Sequence, residues 1–136
     1  MHKETITYID YDGNERTEDF FFNLTKAELT EMDLGTAGGM KKLLERIIAE
    51  KDTKRIMEIF KEIIQKSYGV KTLDGRRFIK SQEVLDEFTQ TEAYSIMFMK
   101  LATDAEAAAT FVNHIIPQDI ANAVPTAANP VAALNA

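Results

Sequence analysis

Five consecutive residues, Asp10-Tyr11-Asp12-Gly13-Asn14, place side-chain oxygens at the first, third and fifth positions, the spacing that opens a calcium-binding loop. Such a loop also needs glycine at its sixth position and a carboxylate at its twelfth. Those positions hold Glu15 and Phe21, so a hairpin turn is the better reading of the run. A second run, Gly35-Thr36-Ala37-Gly38-Gly39-Met40-Lys41-Lys42, has the composition of a phosphate-binding loop. No register of it satisfies G-x-x-x-x-G-K-[ST], and it reads as a connection between helices. His2 and His114 are the only histidines. They form no H-x-x-x-H zinc pair, and no G-x-S-x-G nucleophile elbow accompanies His114. His114 reads instead as a last-turn residue whose charged form complements a helix dipole. The chain has no cysteine, which removes disulfides, thiolate zinc sites, iron–sulfur clusters and a cysteine nucleophile. No residue is thereby assigned to catalysis, to a cofactor or to a metal.

The remaining charges look like a solvated surface. Glu45, Glu50, Glu58 and Glu62 lie on outer helix faces near lysines, as i,i+4 pairing would have them. Lys71, Arg76, Arg77 and Lys80 form the one basic cluster. It suits an acidic partner, but a plain polar loop is the simpler reading.

Local pattern supplies the elements that hold these residues. Thr5, Ile6, Thr7, Tyr8, Ile9 and Tyr11 are β-branched or aromatic, and Asp12-Gly13-Asn14 supplies a turn, so residues about 5–23 form a hairpin. Its return strand covers about 16–23, with Ile6 and Tyr8 on one face and Phe20 and Phe22 likewise sharing a face. Thr25 with Glu28 has capping-box spacing and opens a short helix over about 26–34. Met40, Leu43, Leu44, Ile47 and Ile48 then recur at helical spacing. Asp52 or Thr53 caps a helix with the stripe Ile56, Ile59, Phe60, Ile63 and Ile64. Tyr68-Gly69 marks a helix stop, Leu73-Asp74-Gly75-Arg76 a turn, and Phe78-Ile79 a short extended piece. Ser81 caps a helix carrying Val84, Leu85 and Phe88. Thr91 caps another, with Tyr94, Met97, Phe98 and Leu101 on it and Ile96 and Met99 on adjoining faces, a helix expected to be buried on most sides. Thr103 with Glu106 forms a second capping box for a last helix bearing Ala108, Phe111, Val112, Ile115 and Ile116, closed by Pro117.

Composition bounds what such a chain does. Its 136 residues fit one domain, and 45% hydrophobic with 28% charged residues suits a folded core. Sixteen Lys and Arg against 22 Asp and Glu give a net charge of −6, which disfavours nucleic acid as the main partner. The longest apolar runs are three to four residues, far short of the roughly 20 that a bilayer span needs. No membrane partner is expected, and the expected compartment is the cytoplasm. Residues 117–136 hold three prolines, one charge and no aromatic residue, and are expected to be a flexible Ala/Asn/Pro tail.

Three stretches carry a family resemblance. They are residues 5–29, with Ile6-Thr7-Tyr8, Asp12-Gly13-Asn14 and Phe22-Asn23-Leu24-Thr25-Lys26-Ala27-Glu28-Leu29; Asp74-Gly75-Arg76-Arg77-Phe78-Ile79-Lys80; and Gln90-Thr91-Glu92-Ala93-Tyr94 with Leu101-Ala102-Thr103-Asp104-Ala105-Glu106-Ala107-Ala108. Together they resemble the tail assembly chaperones of long-tailed bacteriophages and prophages. The resemblance implies a small helical, non-catalytic protein of virion morphogenesis that coats the tape measure protein, keeps it soluble and helps tube subunits polymerise around it. It also implies action in the host cell cytoplasm, absence from the mature virion and, in many members, a longer frameshifted product. The rival reading is a small structural tail or connector protein retained in the virion. The major tail tube protein and further copies of this chain are secondary partners in these readings.

The expected architecture is α+β, mainly α: an N-terminal β-hairpin at about 5–23 packed on a bundle of about five helices over about 26–116. Residues 1–116 are expected to be a single globular domain and 117–136 the tail. Candidate partner-binding residues are the hairpin aromatics Tyr11, Phe20, Phe21 and Phe22, because a hairpin covering the helices with one face leaves the other free. Strand alternation points Phe21 away from Phe20 and Phe22. Burial of all four by the helices or by self-association is an equally weighted alternative. Met32, Met40, Met57, Met97 and Met99 are candidate adaptable contacts, although Met40 and Met97 fall on core stripes.

Overall fold

In a computed structural model of the chain, the structure describes residues 1–32 and 52–117 and, between them, residues 39, 42, 45 and 49. The alternating N-terminal segment forms strand β1 (His2–Ile9), which pairs antiparallel with β2 (Glu15–Phe22) in a register running from Ile9↔Glu15 to His2↔Phe22. The hairpin is thus present, and it begins three residues earlier than the alternation of β-branched side chains suggests. Asp10 accounts for its turn. Its Oδ1 accepts from the amides of Asp12 and Asn14, both at 2.9 Å, and Gly13 adopts φ 84°.

Helix α1 (Lys26–Glu31) starts with the expected capping box: Thr25 Oγ1 accepts from the Glu28 amide at 3.1 Å and Glu28 Oε1 accepts from the Thr25 amide at 2.9 Å. Helix α2 (Thr53–Ser67) is capped by Asp52, whose Oδ1 accepts from the Lys54 amide at 3.0 Å. The expected helix around Met40 to Ile48 lies mostly outside the described residues; Gly39, Lys42, Glu45 and Ala49 are helical.

The sheet departs most from the expectation of a lone hairpin. Strand β3 (Tyr68–Lys71) follows α2 directly and pairs with β2, and β4 (Phe78–Ile79) pairs with β3. The result is a four-stranded antiparallel sheet in the order β1-β2-β3-β4. Strands of four and two residues are too short to show a period-two pattern, so Tyr68-Gly69 looks in sequence like a helix stop alone. The turn between them is as expected, with Gly75 at φ 75°. At the other edge, β1 carries Lys3 and the polar Thr5 and Thr7 on its outward face, features that discourage edge-to-edge pairing.

Helices α3 (Gln82–Thr89), α4 (Glu92–Thr103) and α5 (Ala105–Ile115) follow. Ser81 caps α3 as expected, accepting from the Val84 amide at 3.2 Å. Two caps differ. Thr91 stands before α4 but gives its hydroxyl to the Phe88 carbonyl at 2.7 Å instead of capping. Thr103 lies in the last turn of α4, donating to the Met99 carbonyl at 2.6 Å, and Asp104 is the cap of α5. A carboxylate at the junction accepts the Ala107 amide at 3.1 Å, so the Thr103–Glu106 spacing does not become a capping box.

Among the described residues the core packing of the helices uses one face of the sheet. Ile6, Tyr8, Phe20 and Phe22 point inward and meet Phe60, Ile63 and Ile64 of α2, Phe88 of α3, Ala93, Met97 and Leu101 of α4, and Phe111, Val112 and Ile115 of α5. Ile56 and Ile59 are only partly buried at the margin of this core. Helix α4 is not buried on most sides as its composition suggests: Ile96 and Met99 are exposed. A two-layer arrangement covers a helix on the sheet side and against its neighbours, and leaves the outer side to water. Residues 118–136, the expected tail, lie outside the described residues.

Candidate functional site

The four hairpin aromatics go to three different places. Phe20 and Phe22 occupy even positions of β2 and are core residues, 9% and 0% exposed. Phe20 lies 5.0 Å, centroid to centroid, from Phe88, and Phe22 lies 5.3 Å from Phe111 and 5.6 Å from Tyr68. Edge-to-face and tilted contacts of this kind stabilise a core beyond its area burial. In this fold neither ring is available to a partner. Tyr11 sits in the hairpin turn and is 78% exposed. Phe21 takes the odd position between the two buried rings and faces the open side of the sheet, half-buried. Six strand positions separate its level on β2 from Glu15 at the turn end, so Tyr11 and Phe21 lie about 20 Å apart along the hairpin. They do not form one patch.

What does surround Phe21 comes from other strands. Lys3 stands opposite it on β1 and Gly69 opposite it on β3. The ammonium of Lys71, two residues beyond Gly69 on the same face, lies 5.8 Å from the Phe21 ring centroid. Phe78 pairs with Lys71 from β4 and lays its ring over Gly69: a Cβ on residue 69 would meet that ring at 2.6 Å. An aromatic ring covering a strand glycine replaces the cross-strand contact the glycine lacks. The open face therefore carries two half-buried rings, Phe21 and Phe78, with Gly69 on the strand between them lying under the Phe78 ring and lysines beside them. The sequence offers Phe78 only as part of a short extended piece and Lys71 as a member of the one basic cluster, read more simply as a polar loop. The available signal was the glycine facing a phenylalanine across a strand pair, which appears only once the pairing is known.

Two polar clusters sit at opposite edges of the sheet, both at the end away from the hairpin turn. At one, Lys80 Nζ donates to Glu28 Oε2 at 2.6 Å, to the Asn23 carbonyl at 2.6 Å and to the Lys66 carbonyl at 3.0 Å. Partial burial alone would raise the Glu28 carboxyl; the hydrogen bonds from Lys80 and from the Thr25 amide outweigh it and hold the group below its ordinary value. At the other, His2 Nδ1 and His114 Nδ1 lie 3.1 Å apart, His2 Nε2 faces Glu4 Oε1 at 3.2 Å, and Lys100 donates to Glu4 Oε2 at 3.1 Å. Burial lowers the His2 imidazole, and Glu4 only partly counteracts this. His114 is in the last turn of α5, as expected, but its ring neighbour is a histidine 112 residues away.

The calcium-loop spacing is resolved as a turn. Asp10 is committed to two backbone amides and, at 2.7 Å, to Arg16 Nε, and this guanidinium bond leads the causes that pull its carboxyl below the ordinary value. Among the described residues no group of three or more His, Cys, Asp or Glu side chains is arranged to hold a metal ion. Among the same residues no helix is long and apolar enough to cross a membrane. Of the candidate methionines, Met97 is buried, Met99 is exposed, Met32 and Met57 are half-buried, and Met40 lies outside the described residues.

Comparison with known proteins agrees with the family seen in the sequence motifs. Neither the curated proteins nor the solved structures provide a significant match to the chain. The family model described as phage tail assembly chaperone matches residues 1–134, which covers both the hairpin and every helix described above. The chain belongs to the phage tail assembly chaperone family.

Proposed function

We propose that this chain acts without catalysis in the host cell cytoplasm, binds the tape measure protein and promotes assembly of the tail tube around it, and is absent from the finished virion. The observation that carries this reading is the family match over residues 1–134. Accessible aromatic surface on a two-layer body supports it: Tyr11 and Phe21, of the four hairpin aromatics, are the ones a client can touch. A body of 15.3 kDa covers only a short stretch of a long helical client that advances about 1.5 Å per residue. Several copies act together in this proposal, with weak repeated contacts summed by avidity. Residues 1–116 are proposed to be the folding unit, with the major tail tube protein as a second partner.

Co-expression with the tape measure protein of the same phage tests the reading. Wild-type chain should bring the tape measure into the soluble fraction, and Phe21→Ser should do so less well. A tape measure equally insoluble with and without the chain overturns the proposal. Stoichiometric retention of the chain in purified particles would favour the rival, a structural component of the tail.

A further inference from the structure

We propose that the open-face patch formed by Phe21 and Phe78 is a docking surface for an acidic amphipathic helix, one whose apolar side lies on the two rings and whose carboxylates face the surrounding cations. The proposal deepens the client-binding reading above and rests on it for the identity of the helix as a tape measure segment. Three observations carry it.

The first is geometry. Lys3, Phe21 and Gly69 stand side by side across β1, β2 and β3, and Lys71 and Phe78 form the next pair on the same face across β3 and β4, two residues along β3. All five share the face that no described helix covers. Both rings remain half-exposed there, although buried aromatic residues of this sheet are plentiful on the other face.

The second is charge. The chain carries −6, yet residues 68–80 hold four cations, Lys71, Arg76, Arg77 and Lys80, against one carboxylate, Asp74. Asp74 is used by the turn itself, accepting from Thr72 Oγ1 at 2.6 Å and from the Arg76 amide at 3.0 Å. Lys80 is held by Glu28, which leaves Lys3, Lys71, Arg76 and Arg77 without an ion-pair partner among the described residues. On the same face towards the hairpin turn stand Asp19 and Glu15. By the antiparallel register the β3–β4 turn with Arg76 and Arg77 lies towards the hairpin-turn end as well, so the open face is polarised across its strands, with the excess of cations on its β3–β4 side and the carboxylates on β2. Potentials arranged in this way steer an acidic segment to the β3–β4 side of the face.

The third is the chemistry of the rings. Lys71 lies over the Phe21 ring at 5.8 Å and Lys80 over the Phe78 ring at 5.6 Å. A partner that brings a carboxylate to Lys71 and aliphatic groups to the rings satisfies both while Lys80 keeps its bond to Glu28. A nucleic acid strand would also suit cations beside rings, but phosphate-backbone binding opposes a net charge of −6.

The test uses full-length chain and three labelled probes followed by fluorescence anisotropy: an amphipathic helical peptide with leucine on one face and glutamate on the other, its twin with lysine for glutamate, and single-stranded oligothymidylate. The leucine–glutamate peptide should bind about tenfold more tightly than the lysine twin at about 50 mM salt, with the difference shrinking at about 500 mM. Two variants probe the site separately: Lys71→Glu, on the strand, and Arg76→Glu with Arg77→Glu, in the exposed turn. Each should weaken the acidic peptide about tenfold while leaving the circular dichroism spectrum unchanged. Equal binding of the two peptides overturns the proposal, and so do unchanged binding by both variants and tighter binding of oligothymidylate than of the acidic peptide. If the tape measure is solubilised equally by wild type and by both variants, the chaperone reading stands and this surface assignment fails. If the peptide binds as expected but the tape measure stays insoluble, the surface assignment stands and the chaperone reading fails.

Discussion

Lys80 and Glu28 meet at 2.6 Å where four elements end together. The ammonium also closes the carbonyls of Asn23, at the exit of β2, and Lys66, at the end of α2, while the carboxylate closes the Thr25 amide at the start of α1. One ion pair thus satisfies backbone groups that helix and strand ends leave open. Replacing Lys80 by Met should cost about 1–3 kcal/mol, at the low end because both side chains keep contact with water. Chemical denaturation measures it. The sign of the pH effect follows from the depressed Glu28 carboxyl. Its contribution is complete above its ordinary value of 4.5 and is lost as pH falls through that value towards the lower folded one. Lys80→Met should therefore lose less stability than wild type across that acid window. Parallel acid limbs for the two proteins would refute the assignment.

Gly69 and Phe78 should be coupled. An alanine Cβ at position 69 meets the Phe78 ring at 2.6 Å, so Gly69→Ala forces the ring off the sheet at a cost of about 1–3 kcal/mol. In the Phe78→Ala background the clash with the ring is gone and the same change should cost less. A double-mutant cycle checks this, and additive effects would mean that the ring does not rest on the glycine.

Phe88 is the hub of the aromatic core. Its ring centroid lies 4.5 Å from Tyr68, 5.0 Å from Phe20, 5.5 Å from Tyr94 and 5.7 Å from Phe22, so it joins the sheet to α4. Phe88→Ala should destabilise by about 3–5 kcal/mol, while Ile59→Ala, at the margin of the core, should cost about 1–2 kcal/mol. Equal shifts in the denaturation midpoint would contradict this ordering.

The part-buried His2 imidazole predicts sensitivity just below neutrality. Burial leads the causes that lower the His2 imidazole, so the folded chain takes up its proton at lower pH than the unfolded chain does. The contribution of His2 is present above its ordinary value of 6.5 and is lost as pH falls from there towards the folded value. Between about pH 7.5 and about pH 5.5 the melting temperature of wild type should fall more than that of His2→Phe. An equal fall would show that the His2 imidazole does not report on folding.

Removal of residues 118–136 should leave cooperative unfolding intact. The segment offers few apolar side chains, Ile120, Val124, Val131 and Leu134, against an ordering cost of about 1–2 kcal/mol per residue. Loss of the transition in calorimetry of the truncated chain would mean that these residues belong to the folding unit.

The hairpin, the starts of α1, α2 and α3 and most core stripes were readable in the sequence because their determinants are local. Thr25 and Glu28 are three residues apart, Asp10 and Asn14 four, and strand or helix periodicity repeats within a few positions. The same locality told Phe21 from Phe20 and Phe22, since adjacent strand residues face opposite ways. The extent of the sheet was not readable, because Phe21↔Gly69 pairing joins segments distant in the chain and β4 has two residues. Nor was the environment of the candidate site. Alternation assigns Phe21 a face, but packing alone decided that Phe78 would cover Gly69, that Lys71 would lie over Phe21, and that Phe20 and Phe22 would be closed off by Phe88 and Phe111. Family membership was legible in short runs of sequence that need no pairing to be recognised. The proposed docking surface was set by where non-local strand pairing brought rings and cations onto one face.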